Sequence, residues 1–140
     1  MLAEDDRSLA RLIEVALQRT GFSHELEVVS DGDQLIETLE KGPIPNLLLL
    51  DLHMPGRNGF EVLEHVKSRE ILRRMLVVMF SSSGLPADVN RAYDLHANAY
   101  VRKPSSLPEL CETLESVLRF WLATATAPCG GNLCPAGDYR

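Results

Sequence analysis

The sequence predicts an α/β fold, with one parallel sheet covered on both faces by helices. Three observations predict it. Apolar runs such as LLLL at 47–50 and LVVMF at 76–80 show no polar alternation, which marks strands buried on both faces. These runs alternate along the chain with segments of helical period, the order that helical crossovers between parallel strands produce. The 140 residues suit one domain, which at that size buries about two thirds of its unfolded surface without needing disulfides or metals as staples.

Each element follows from its residues. Met1, Leu2 and Ala3 are all that precede the acidic Glu4, so the first strand is expected to be a stub, or the numbering to begin inside a longer chain. Residues 8–20 place Leu9, Leu12, Ile13, Ala16 and Leu17 on one helical face, and Gly21 stops that helix. Leu26, Val28 and Val29 form a short strand ended by Ser30, Asp31 and Gly32. Leu35, Ile36 and Leu39 mark a second helix closed by Gly42-Pro43. Leu47 to Leu52 reads as a buried strand. Phe60, Leu63 and Val66 or Lys67 carry a third helix, with a further turn expected near Ile71. Leu76 to Phe80 is the next strand. Pro86 to Leu95 is a fourth helix with proline in its first turn, and Ala99 to Arg102 is the last strand. Ser106 and Glu109 have capping-box spacing ahead of Leu107, Leu110, Leu114, Val117, Leu118 and Trp121, which follow the helical period. From Ala127 onward the chain is rich in Gly and Pro and is expected to be mobile.

Composition removes several functions. The net charge is −6 with no Lys/Arg run, which argues against direct nucleic-acid binding. No apolar stretch approaches the roughly 18 residues of a membrane span, and the start MLAEDD has no secretory character. Three cysteines, two of them in the terminal tail, do not make a disulfide framework. The cytoplasm is the expected compartment. Cys129 and Cys134 lack the further ligands of a zinc site, and His24, His53, His65 and His96 show no metal spacing. Cys111 is expected to be a helix residue facing partly inward.

The chemistry gathers at strand ends. In an open parallel sheet, ligands bind outside the carboxyl ends of the strands. Glu4, Asp5 and Asp6 follow the first strand, Asp51 the third, Ser81, Ser82 and Ser83 the fourth, and Lys103 the fifth. Taken alone, Asp51 could be a strand-end cap, the serines a polar loop, and Asp6 a helix cap. Together they are more specific. Carboxylates crowded at one edge repel unless a cation joins them, and hard oxygen ligands with room for water suit Mg²⁺ or Mn²⁺. A lysine ammonium and a hydroxyl at the same edge suit a phosphoryl group. A carboxylate nucleophile, a divalent metal and a lysine suit phosphoryl transfer onto aspartate.

The acidic triplet EDD at 4–6, LLLLDLHMPGRNGFE at 47–61, VVMFSSSG at 77–84 and ANAYVRKP at 97–104 resemble, in family order, the response-regulator receiver domains. The separations fit as well, with 30 residues from Asp51 to Ser81 and 22 from Ser81 to Lys103. The resemblance covers Leu2 to about Leu122. It implies a flavodoxin-like (βα)5 three-layer sandwich with sheet order 2-1-3-4-5. It implies Asp51 as phosphoacceptor, and Asp5, Asp51 and the backbone carbonyl of His53 as metal ligands, with Glu4 acting through water. Lys103 would pair with Asp51 and then with the phosphoryl oxygens. Ser81 would be the switch hydroxyl, where the family more often has threonine, and Tyr100 the switch aromatic. His53 and Ser83 would flank the phosphosite and tune the lifetime of the phosphate. The Lys103–Pro104 bond would be cis, as is usual in this fold. Such a protein is a signalling switch rather than an enzyme.

RFWLATATAP at 119–128, DLHANAYVRK at 94–103 and HEL at 24–26 resemble a narrower group, the single-domain response regulators that accompany cyanobacterial and bacterial phytochromes. This implies a light-sensing histidine kinase as phosphodonor. It also implies a homodimer built from the fourth helix, fifth strand and fifth helix, with Phe120, Trp121 and Leu122 in the contact. The chain then divides into a receiver domain, 1–122, and an extension, 123–140, in which 123–128 is a dimer arm and 129–140 a flexible tail. The alternative is a Mg²⁺-dependent phosphatase with an aspartyl-phosphate intermediate. That chemistry wants a second acid two residues after the nucleophile, where this chain has His53.

Overall fold

The computed structural model describes residues 1–126. Five parallel strands form one sheet in the order β2-β1-β3-β4-β5. They are β1 (Leu2–Ala3), β2 (Val28–Val29), β3 (Leu47–Leu50), β4 (Leu76–Ser81) and β5 (Ala99–Arg102). Five helices connect or follow them: α1 (Arg7–Arg19), α2 (Gly32–Lys41), α3 (Gly59–Ser68), α4 (Pro86–Asp94) and α5 (Leu107–Leu118). The expected flavodoxin-like sandwich and strand order are both present.

The unbroken apolar strands divide their side chains between two cores, because successive residues of a strand point to opposite faces. Leu47, Leu49, Leu76, Val78 and Phe80 pack with α1 and α5 on one face. Leu48, Leu50, Val77 and Met79 pack with α2, α3 and Ala92 of α4 on the other. β3 and β4 are buried over their whole length. The sheet therefore holds its central strands rigidly and leaves their carboxyl ends as the accessible edge.

The stub at the first strand is real but sufficient. Leu2 and Ala3 pair with both β2 and β3, and the ladder continues past them, with the Glu4 N–H donating to the Val29 carbonyl at 2.9 Å. The second strand is shorter than its sequence suggests, since Leu26 lies outside it and packs against the α1–α5 core. The turn expected near Ile71 is present as a loop, with Ile71 exposed and Leu72 buried beside it. Lys67 fastens that loop, donating to the Met75 carbonyl at 2.8 Å and to Asn98 Oδ1 at 3.1 Å. Ser106 caps α5 through the Glu109 N–H. Beyond Leu118 the helix widens into a π-helical segment, Arg119–Thr124, with the Ala125 N–H donating to the Phe120 carbonyl at 2.7 Å. Cys111 is half-buried against the α1–α5 core, as expected. Residues 127–140, including Cys129, Cys134 and the tail 129–140, lie outside the described residues. Among the described residues no helix is long and apolar enough to cross a membrane.

Candidate functional site

Four of the five strands, β1, β3, β4 and β5, deliver polar groups to the same edge. Asp51 follows β3, and its N–H still donates to the Ala3 carbonyl at 3.0 Å, so the strand ladder fixes its backbone. Glu4 follows β1, and Lys103 follows β5 with its N–H on the Ser81 carbonyl at 2.8 Å. The side chains then converge. Lys103 Nζ lies 3.1 Å from Asp51 Oδ1 and 2.5 Å from Glu4 Oε2. Glu4 and Asp51 are only 2% and 6% exposed, and Ser81 not at all, so these are polar groups inside an otherwise apolar edge. Asp51 Oδ1 also accepts the Leu52 N–H at 2.8 Å, and Glu4 Oε1 the Asp6 N–H at 3.1 Å.

The three acids form a ligand set. Glu4, Asp5 and Asp51 each offer a carboxylate oxygen within 4.8 Å of the others, with Asp5 exposed. Lys103 is paired with two of them, Glu4 and Asp51, and three carboxylates against that ammonium leave two net negative charges, which a divalent ion would balance. Burial pushes the Glu4 carboxyl above its usual range. The Lys103 ammonium opposes that shift, and the nearby charge of Asp51 adds to it.

The loop after β3 is held close to the site. His53 is exposed in it, while Leu52 and Met54 are buried on either side. Gly59, at the start of α3, lies so near this loop that a Cβ there would meet the Asp51 carbonyl at 2.4 Å, and its N–H donates to the Leu52 carbonyl at 2.9 Å. Asn58 and Glu61 close a capping box at the start of this helix. Asp6 caps α1, accepting from the Ser8 and Leu9 N–H groups, and is a helix cap as expected.

One expectation needs adjusting. The Lys103–Pro104 bond is not cis, since no cis peptide bond occurs among the described residues. Trans is the favoured isomer of an X–Pro bond by about 0.5–1 kcal/mol, and the β5 ladder runs on through Lys103 without it. Of the three residues expected at a dimer contact, Phe120 is 53% exposed, and Trp121 and Leu122 are half-buried against the α1–α5 core. Phe120 and Trp121 meet edge to face at 4.8 Å.

The structure links residues the sequence singled out and adds one it did not, Asp88. Ser81 Oγ accepts the Ser83 N–H at 3.2 Å, and the Tyr100 hydroxyl donates to the Ser83 carbonyl at 3.0 Å. Ser83 Oγ in turn donates to Asp88 of α4. The available signal was a helix opening Leu85-Pro86, with no capping side chain of its own and an acid at its third position.

Comparison with known proteins agrees with this geometry. The response regulator receiver domain family model matches residues 1–115. Response regulator Rcp1 of Synechocystis sp. is 36% identical over 134 residues, covering 91% of this chain and 91% of that protein. The probable methanogenesis regulatory protein FilR2 of Methanothrix harundinacea is 37% identical over 133 residues, covering 91% and 86%. The crystal structure of the Mn²⁺-bound form of Rcp1 matches with a TM-score of 0.83, covering 91% of this chain and 96% of that one. The phosphorylated cyanobacterial phytochrome response regulator RcpA matches with a TM-score of 0.84 at 38% identity, covering 91% and 95%. The phosphatase alternative finds no support among these likenesses. A family match spanning the whole sheet, on the strand order that the family's fold requires, establishes that this chain belongs to the response regulator receiver domains of two-component signalling.

Proposed function

We propose that this chain is a single-domain response regulator that takes a phosphoryl group onto Asp51 from a histidine kinase, of the phytochrome kind, and signals by a change of shape. The observation that carries the site assignment is the Lys103 ammonium, 3.1 Å from Asp51 Oδ1, beside three acids whose oxygens lie within 4.8 Å of one another. The likeness to the phosphorylated cyanobacterial phytochrome response regulator RcpA and to the Mn²⁺-bound form of Rcp1 supports the kind of kinase and the use of Mg²⁺ or Mn²⁺.

In the reaction an Asp51 oxygen attacks phosphorus in line, an O–P bond forms, the P–N bond to the donor imidazole breaks, and the imidazole leaves to be protonated. A divalent ion held by Asp5, Asp51 and the His53 carbonyl, with Glu4 through water, would neutralise phosphoryl charge. Lys103 supplies a second positive charge already in place. The acyl phosphate then offers new acceptor oxygens. The Ser81 hydroxyl moves to one of them, and Tyr100, half-buried at the edge of the α2–α4 core, turns into the space released. The α4–β5–α5 face, with Tyr93 of α4 exposed, is proposed as the homodimer surface together with the exposed Phe120 of the π-helical segment, and the described part of the extension, up to residue 126, as the start of the arm. The setting is cytoplasmic, beside the kinase.

The test is phosphorylation with radiolabelled acetyl phosphate, or with a phosphorylated phytochrome kinase, in the presence of Mg²⁺. Label retained on the wild type and absent from Asp51→Asn is the expected result. Label that survives in Asp51→Asn would sink the assignment.

A further inference from the structure

We propose that two copies of this chain associate end to end at the amino ends of their strands, each seating its Ile71 loop in an acid-rimmed apolar groove of the other. The contact lies at the opposite end of the sheet from Asp51. It depends neither on the phosphorylation reading nor on the α4–β5–α5 face.

The strands are all parallel, so every loop that feeds a strand lies at the same end of the sheet. Two features at that end complement each other. The first is a groove of about 580 Å³ beside the start of β3. Its floor is apolar, built from the buried Leu17, Leu47, Leu49 and Leu118, with Ile44 half-buried along it. Its rim carries the exposed acids Glu25 and Glu27, and no lysine or arginine is among its lining residues. The Met1 amino group at the groove already donates to the Leu47 carbonyl at 3.0 Å. A neighbouring groove shares Ser23, His24 and Leu26 with it and adds a further acid, Glu14.

The second feature is the loop between α3 and β4. Ile71 is 78% exposed there. Residues 69–74 hold three arginines and one glutamate, a local charge of +2 in a chain whose net charge is −6. Arg69 leans on Glu40 at 3.4 Å, while Arg73 is exposed beyond Ile71. A lone exposed isoleucine is ordinary on a protein surface. This one is held rigidly outward. Leu72 beside it is buried, the Arg73 N–H donates to the Arg69 carbonyl at 2.8 Å, and the Met75 N–H to the Leu72 carbonyl at 2.8 Å. Lys67 Nζ then bonds the Arg73 and Met75 carbonyls at 3.3 and 2.8 Å. An apolar knob already fixed in place loses little freedom on docking.

The knob and the groove match in chemistry: an isoleucine flanked by arginine, and an apolar floor rimmed by glutamates. They also match in placement. The groove opens by β1 and β3, and the loop enters β4, the next strand along, so both lie on one end face. A two-fold axis in that face, midway between them, sets each loop over the partner's groove. The contact is then made twice and closes on itself. One loop and one groove per copy make a small interface, of the class that forms weak, concentration-dependent pairs.

The experiment follows the full chain in reducing buffer by sedimentation velocity, from about 10 μM to about 1 mM. The wild-type mass is expected to rise across this range. Ile71→Asp is expected to move that rise to at least about tenfold higher concentration while Asp51 is labelled as in the wild type. Arg73→Glu and Glu25→Arg are each expected to weaken association by about three- to tenfold. An equimolar mixture of those two variants should associate as the wild type does, because each opposite-charged loop then meets an opposite-charged rim. None of these residues lies on α4, β5 or α5, so pairing through that face leaves all three shifts at zero. In mixed isotope-labelled samples, intermolecular NOEs are expected from the Ile71 methyl to Ile44 and Leu47 of the other copy. A wild type with no rise in mass, an Ile71→Asp curve that overlays the wild type, a mixture no stronger than its components, or NOEs that join the groove to residues other than Ile71 would each overturn the proposal.

Discussion

Glu4 carries the main electrostatic conflict in the molecule. It is buried, it shares Lys103 with Asp51, and burial raises its pKa above the ordinary value near 4.5. A carboxyl raised in the folded state binds its proton more tightly there than in the unfolded chain. Its contribution to stability is therefore fully present below about pH 4.5 and is lost as pH rises through the folded value. In chelated buffer, urea unfolding at several pH values is expected to show the stability of Glu4→Gln gaining on the wild type from pH 4 toward pH 7. A difference between the two that does not change with pH would show that Lys103 fully compensates the burial. The residues of this conflict were legible only in part. Asp51, Asp5, Lys103 and Ser81 could be placed at one edge because each follows an apolar run at a strand's carboxyl end. That Glu4, rather than Asp5, would be the buried acid bonded to Lys103 depends on which way each side chain turns after a two-residue strand, and the pattern of residue types does not carry that. The Ser83–Asp88 bond was hidden for a similar reason, since the partners lie five residues apart across a turn whose path only the fold sets.

Among the elements, the loop between β3 and α3 is clamped from two sides. Gly59 rests on the Asp51 carbonyl, and Gly32 of α2 sits where a Cβ would lie 1.8 Å from the Arg57 carbonyl, with its N–H on the Pro55 carbonyl at 3.0 Å. In both cases the obstructing atoms are backbone, so a methyl group cannot be accommodated by turning a side chain. Gly59→Ala is expected to cost about 1–3 kcal/mol, read as a fall in the urea midpoint, and to slow phosphorylation by displacing Asp51. Full stability with full labelling would show that the loop yields easily. The end of α4 offers the opposite sign. His96 adopts φ 66 just beyond that helix, a left-handed conformation that costs a residue with a side chain about 1–2 kcal/mol. His96→Gly is expected to stabilise by about 0.5–1 kcal/mol, since the freedom glycine adds to the unfolded chain offsets part of the relief. A lower melting temperature in that variant would mean the exposed His96 side chain makes a compensating contact. The strongly periodic helices and the LLLL and LVVMF strands were readable because one repeating pattern decides each of them. The two-residue strands and the π-helical turn after Leu118 were less so, because neighbouring strands and helix packing decide their extent rather than local composition.

At the scale of the whole molecule, the sheet brings together acids that are far apart in sequence. Glu4, Asp5 and Asp51 come within 4.8 Å only when β1 and β3 lie side by side, so the unfolded chain has no such site. Binding of a divalent ion is then a contribution to folding itself, with a size set by RT ln(1 + [L]/Kd), or about 2.7 kcal/mol at a hundredfold excess over Kd. For a domain of this size that corresponds to a rise of roughly 10 °C in melting temperature. The overall charge of −6 complicates the reading, because any added salt screens repulsion across the surface and stabilises a little. The two effects separate cleanly when Mg²⁺ is compared with NaCl at equal ionic strength. The wild type is expected to melt higher in Mg²⁺ by most of the full amount, and Asp5→Asn to keep only the small rise that NaCl also gives. The sign with pH follows from Glu4: a cation favours the charged carboxylate, so the Mg²⁺ increment should grow as pH rises from 5 to 7, opposite to the metal-free trend. An equal Mg²⁺ increment in wild type and Asp5→Asn would mean that the ion acts on the surface at large, and the acidic edge would then have to be understood as a charge balance set by Lys103 alone.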